Sequence, residues 1–231
     1  MGTGHLIVID GLDGCGKATQ VENVYDRLSR MGYKVKKITF PEYDSLSSGP
    51  VRMYLNGEIG TDPMKLNPYM CSLFYAVDRA IQFHKEIFKY YNDGYVIIAD
   101  RYLSANIIHQ ASKCENIDKM HEFFKWVYEV ETEKVGIPRE DITIALTLPV
   151  EVSQKLMSIR YHNDESSKDI HESNIEYLNK CRVSLEEACK YLPTIGYNWV
   201  KYDCSTSDMW VKPKDEITSN LIEMILPIIE N

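Results

Sequence analysis

A chain of 231 residues with 44% hydrophobic and 26% charged side chains can bury one sizeable core, and no apolar run approaches the roughly 20 residues of a membrane span. Its formal net charge of −8 argues against general nucleic-acid binding, which draws affinity from Lys and Arg that neutralise backbone phosphates. The six cysteines form no CxxC pair and no leader precedes the first strand pattern, so the expectation is one cytoplasmic domain over residues 1–231 with reduced thiols.

The first element is a strand over residues 5–10, whose Leu6-Ile7-Val8-Ile9 runs into GxxxxGK (Gly11 to Lys17). A helical pattern follows at Val21 and Val24. Glycines at 11, 14 and 16 let the backbone turn tightly, so that amides of the loop from Gly11 through Cys15, Ala18 and Thr19 surround one anion. Lys17 then supplies a mobile charge for the β- and γ-phosphates. This is an ATP-binding loop in form, and ATP brings Mg²⁺ as cofactor. One residue departs from the pattern: Ala18 stands where a Ser or Thr would ligate Mg²⁺, with Thr19 one place later.

Further strand candidates at 35–40, 95–99, 142–148 and 197–202 alternate with helical stretches. That order predicts an α/β fold with a parallel sheet, whose ligands sit beyond the carboxyl ends of the strands. After the second strand comes Phe40-Pro41-Glu42-Tyr43-Asp44, and after the third Asp100-Arg101-Tyr102. Val96 to Asp100 has the form of a Walker-B segment, with Asp100 holding Mg²⁺ directly or through water. Arg101 can bind a phosphate bidentately, the alternative being a structural Asp/Arg pair at a strand end. Tyr75 and Arg79 are four apart in a helical pattern over 65–90 and share a face. The polar run His162 to Lys168 reads as a mobile loop, and Cys204 to Pro213 as a second polar loop before the last helix.

Four segments, GLDGCGKATQ, FPEYDS, YAVDRA and DRYLSANIIHQ, resemble the thymidylate kinase family in order and spacing, over nearly the whole chain. The resemblance implies a P-loop kinase fold: a doubly wound, five-stranded parallel sheet with helices on both faces and a small polar lid at about residues 160–172. It implies a homodimer that transfers the ATP γ-phosphoryl group to dTMP, giving dTDP and ADP in dTTP synthesis. By the same resemblance, Tyr75 stacks on thymine, Arg79 hydrogen-bonds its edge and Asn106 also reads the base, while Phe74 belongs to the core. Without the family, Tyr75 would read as core and Asn106 as helix surface.

Tyr43 and Arg101 fall where the family contacts the dTMP phosphate, and Asp13 where a carboxylate accepts from the sugar 3′-OH or binds metal. His109 replaces a common tyrosine near the sugar; it either excludes a 2′-hydroxyl by bulk or is a helix histidine near solvent. Arg160 in the lid would neutralise the transferring group. Glu172 matches a carboxylate that joins Asp13 around a second metal, the alternative being a solvated carboxylate in the first turn of a helix. The chain also departs from relatives in lacking an arginine within Glu42-Tyr43-Asp44 and in carrying Ile170 and Gly14 at places where arginines occur. A deoxynucleoside kinase, another nucleoside monophosphate kinase and a non-enzymatic ATP-dependent switch are the alternatives, the last because of Ala18.

Overall fold

The computed structural model describes residues 4–149, 151–153, 155–156 and 175–230. In strand β1 (His5–Gly11), Leu6 and Val8 face one side and Ile7 and Ile9 the other, and all four are fully buried. A strand that is apolar on both faces requires a sheet covered twice. It is flanked by β2 (Val35–Thr39), β3 (Val96–Asp100), β4 (Ile142–Thr147) and β5 (Trp199–Asp203). The order is β2-β3-β1-β4-β5 and every pairing is parallel, with β1 in the centre.

Around this sheet lie α1 (Lys17–Arg30), α2 (Gly49–Leu55), α3 (Pro68–Gln82), α4 (Phe88–Asn92), α5 (Leu103–His109), α6 (Ile117–Tyr128), α7 (Ile175–Tyr191) and α8 (Lys214–Ile229). On one face Ile7, Ile9, Ile98 and Ile144 pack against Val21, Val24 and Leu28 of α1 and Leu221, Ile222 and Ile225 of α8. On the other, Leu6, Val8, Ile97 and Ala99 pack against Leu103 and Ile107 of α5 and Phe123, Phe124 and Val127 of α6. Each fully buried aliphatic side chain contributes about 1.5–3 kcal/mol, so the two layers, not helix propensity, hold these elements. The fold is the α/β arrangement with a parallel sheet that the alternation of segments predicts, doubly wound with helices on both faces as the family resemblance implies.

Strand boundaries move by one or two residues: the third strand ends on Asp100 itself, and the fifth begins at Trp199. The helix expected over 65–90 is realised as α3, a π-helical turn over Phe83–Ile87, and α4. Asn67 caps its start, its side chain accepting from the Met70 amide at 3.0 Å. The loop after β5 closes on itself through an isolated bridge between Ser205 and Val211. The polar run 162–168 and the whole of the expected lid at 160–172, including Arg160 and Glu172, lie outside the described residues. Among the described residues no helix is long and apolar enough to cross a membrane.

Candidate active site

Parallel register decides what meets at the carboxyl edge of the sheet. Ile9 lies beside Asp100, so the loop leaving β1 and the residue leaving β3 emerge side by side. At the first turn of the phosphate loop, a Cβ on Gly11 would lie 2.2 Å from the Leu146 carbonyl oxygen. Only glycine fits that approach. Gly16 enters α1 with φ 86°, the left-handed conformation that turns the loop into the helix. Ala18 and Thr19 then lie exposed on its first turn.

Lys17 is buried, and its Nζ donates to the Leu12 carbonyl at 3.0 Å and to Asp13 Oδ1 at 3.2 Å. Arg101 Nη2 donates to the same Asp13 oxygen. Burial opposes ionisation of Asp13, but the Arg101 and Lys17 charges hold its carboxyl well below the usual carboxylate range. Arg101 itself has φ 68°, the left-handed region that a long L side chain enters at a cost of about 1–2 kcal/mol. Such strain concentrates at functional sites, and here it turns the guanidinium back over the loop.

Arg101 Nη1 lies 3.3 Å from His109 Nε2. A guanidinium can only donate, so Nε2 accepts and the imidazole is neutral there. Burial, followed by the Arg101 charge, lowers the His109 pKa to about 3. Its Nδ1 faces the Tyr177 hydroxyl at 3.4 Å, and that hydroxyl also donates to the His109 carbonyl at 3.0 Å. His109 is therefore enclosed by α7 and is only 5% exposed, which differs from a helix histidine at the surface.

Asp10, which sequence reasoning passes over, anchors the cluster from below. It is fully buried and accepts from the Gly11 amide at 2.8 Å and from the Ser104 hydroxyl at 2.6 Å, fixing the loop to the start of α5. Asp100 stands beside it, with burial and the nearby Asp10 and Asp13 charges pushing its pKa up against Lys17 and Arg101. Among the described residues no group of three or more His, Cys, Asp or Glu side chains is placed to hold a metal alone.

The segment after β2 begins with a cis Phe40–Pro41 bond and is tied to α3. Asp78 is fully buried and accepts from the Glu42 amide at 2.9 Å and from the Ser47 hydroxyl. Arg52 of α2 donates to the Tyr43 and Ser45 carbonyls and to Ser48 Oγ. An arginine thus reaches this segment after all, from nine residues away. The Tyr43 side chain remains about half exposed.

Helix α3 carries its polar and aromatic residues inward at Ser72, Tyr75 and Arg79, all buried. Tyr75 meets Tyr54 edge to face at 6.4 Å, while Phe74 packs into the small cluster of Val51, Tyr54, Leu55 and Cys71. Arg79 donates from Nε and Nη2 to both oxygens of Glu131, each at 2.6 Å, and from Nη1 to the Tyr102 carbonyl at 3.2 Å. Asn106 Nδ2 donates to the Ser72 carbonyl at 3.2 Å and to Glu131 Oε1 at 3.1 Å. The candidates therefore gather into two groups. Asp13, Lys17, Arg101 and His109 surround the phosphate loop; Tyr75, Arg79 and Asn106 lie between α3 and α5. His109 and Asn106, three apart on α5, join them.

A glycine-rich loop with a buried lysine, facing an arginine fixed at the end of β3, can align two phosphates. The sequence model of the family described as thymidylate kinase matches residues 9–195. A thymidylate kinase of Caldicellulosiruptor saccharolyticus is 28% identical over 192 residues, covering 81% of this chain and 84% of its own. One of Mycobacterium tuberculosis is 27% identical over 175 residues (74% and 79%), and a probable thymidylate kinase of Pyrococcus horikoshii 29% over 157 (68% and 71%). The solved structure of thymidylate kinase from Candida albicans shares the fold with a TM-score of 0.69 at 23% identity, covering 96% of this chain and 91% of that one. The chain belongs to the thymidylate kinase family and is a nucleoside monophosphate kinase, a phosphotransferase.

Proposed function

We propose that this member of the family transfers the γ-phosphoryl group of ATP to dTMP, giving dTDP and ADP for dTTP synthesis in the cytoplasm. The observation that carries the reading is the placement of Arg101, held in a left-handed conformation at the end of β3 and joined through Asp13 to Lys17 of the phosphate loop. One cation on each side of Asp13 suits one phosphate donor and one phosphate acceptor. Lys17 and the loop amides from Gly11 to Thr19 hold the ATP phosphates. Arg101 and the Tyr43 hydroxyl hold the dTMP phosphate, and Asp13 accepts from the sugar 3′-OH. Tyr75 stacks on the base, Arg79 and Asn106 read its edge, and neutral His109 fills the space beside the sugar. Arg160 in the lid at 160–172 neutralises the group in transfer and excludes water as a competing acceptor.

Mg²⁺ fits these residues as a shared rather than a caged ion. Such an ion is commonly held through one or two carboxylates, phosphate oxygens and retained waters, so Asp100 would hold it on the protein side, with no hydroxyl needed at Ala18. Bound there, Mg²⁺ supplies charge neutralisation on the donor phosphates. Asp13 and Glu172 would hold a second ion near the acceptor.

The proposed homodimer is supported by α3. Its outer face exposes Met70, Leu73, Val77 and Ile81 at three- and four-residue spacing, an apolar stripe back to back with the base-reading residues. A second copy of this chain, presenting the same stripe about a two-fold axis, covers it. The test is dTDP formation from ATP and dTMP, followed by phosphorus NMR, together with the solution mass. A product other than dTDP would displace the reading.

A further inference from the structure

Glu131 belongs to no motif of the chain, yet both expected base-reading side chains end on it. It lies in a π-helical turn, Glu129–Lys134, that extends α6. Such wide turns are rare and gather at functional sites. Its carboxylate is 2% exposed, receives Nε and Nη2 of Arg79 side-on, and with Oε1 also receives Asn106 Nδ2. Both neighbours of the Asn106 amide nitrogen, the Ser72 carbonyl and the Glu131 carboxylate, can only accept, so both Nδ2 hydrogens are spent and the amide cannot be flipped. Among the described residues Asn106 Oδ1 is left buried with no hydrogen-bond partner. A buried acceptor without a donor calls for one, and a ligand can bring it.

We infer that Glu131 is a positioning residue that sets the polarity of base recognition, orienting the Arg79 donors and fixing Asn106 as an acceptor so that the site takes a pyrimidine with a 4-carbonyl and an N3–H. The inference rests on the reading of Arg79 and Asn106 as base readers. Thymine offers O4 to Arg79 and N3–H to Asn106 Oδ1. Cytosine reverses both, placing its 4-amino group against a guanidinium and a lone pair against a carbonyl oxygen. Without Glu131 the Asn106 amide can turn and present Nδ2, and the discrimination falls. Arg79 would also lose its side-on clamp, leaving its planar fork held only by the Tyr102 carbonyl.

The test compares dTMP with 5-methyl-dCMP, which keeps the shape of thymine and reverses positions 3 and 4. The parent is expected to favour dTMP by about a hundredfold or more in kcat/KM, since mismatched buried polar groups discriminate strongly. Glu131→Gln is expected to cut that ratio by about tenfold or more through the KM of dTMP, with the KM of ATP unchanged. A purely structural Glu131 would lower both activities together and leave the ratio intact, and that result overturns the inference while the kinase assignment stands. A parent that turns over neither nucleotide overturns the functional reading and the inference with it. If E131Q does not fold, R79M is compared with R79M/E131M, which removes the buried charges as a pair. The double variant is expected to lose at least about fivefold more discrimination than R79M; equal ratios overturn the inference.

Discussion

Asp13 accepts a charge-assisted hydrogen bond from Arg101, a residue 88 positions away in the chain, and through the same oxygen holds Lys17. The phosphate loop and the residue after β3 thus form one electrostatic unit before any phosphate arrives. Asp13→Asn removes the charge and keeps the shape. It is expected to lower kcat/KM for dTMP by about tenfold to a hundredfold, the equivalent of one charged hydrogen bond of about 1.5–3 kcal/mol. Steady-state assays with 3′-deoxy-dTMP check the cause, since an acceptor without the 3′-OH is expected to lose much less.

Acid exposes the two buried titrations of the same cluster. His109, lowered to about 3 from 6.5, stays neutral in the folded chain while the unfolded chain takes up a proton below 6.5. Stability therefore falls as pH drops from 6.5 toward 3, by about 1.4 kcal/mol per pH unit for that one proton. Asp13 is depressed instead, so its contribution is complete above 3.8 and is lost as pH falls through its lower folded value. His109→Gln is expected to flatten denaturant midpoints between pH 6.5 and 4 and to leave the loss below pH 3.8 in place. An unchanged slope in that upper window would mean His109 is charged in the fold.

In the proposed base site, the inward face of α3 would separate stacking by Tyr75 from hydrogen bonding by Arg79. Tyr75→Leu is expected to weaken all pyrimidine monophosphates alike, whereas Arg79→Ala narrows the advantage of dTMP. Arg79→Ala also strands Glu131 without its partner, costing about 3–5 kcal/mol of stability, so calorimetry accompanies the kinetics. Equal binding of dTMP by both variants and the parent would place the base elsewhere.

Much of this was legible in the chain itself, because the signals are local. Leu6 to Ile9, Val96 to Ala99 and Ile142 to Leu146 are short apolar runs between longer segments, and the phosphate loop is contiguous. What escaped acts over distance. Glu131 meets Arg79 across 52 positions, Asp10 meets Ser104 across 94, and Asp78 meets the Glu42 amide across 36. No spacing rule marks such residues; Glu131 stands between Glu129 and Glu133, and nothing in the sequence tells which of the three turns inward. Arg52 is missed similarly, since an arginine on α2 carries no sign that it bends back to the Tyr43 carbonyl.

The proposed Mg²⁺ requirement is tested at Ala18. Mg²⁺ tolerates a water in place of a hydroxyl, so activity is expected to depend strictly on Mg²⁺, and Ala18→Thr to lower the concentration needed for half-maximal rate. Base preference is expected to stay as in the parent, because residue 18 lies on the exposed first turn of α1. A variant with unaltered Mg²⁺ dependence would place the ion away from that turn.

The most direct measurement of the central claim is ADP release from ATP with dTMP, thymidine, dUMP, dCMP, AMP and GMP supplied in turn at matched concentrations, in the parent and in Arg101→Ala. Loss of a charged acceptor contact costs about 2–5 kcal/mol, so dTMP is expected to give the largest rate in the parent and Arg101→Ala to lose both turnover and dTMP affinity. Preference for thymidine over dTMP, or unchanged dTMP binding in Arg101→Ala, would contradict it.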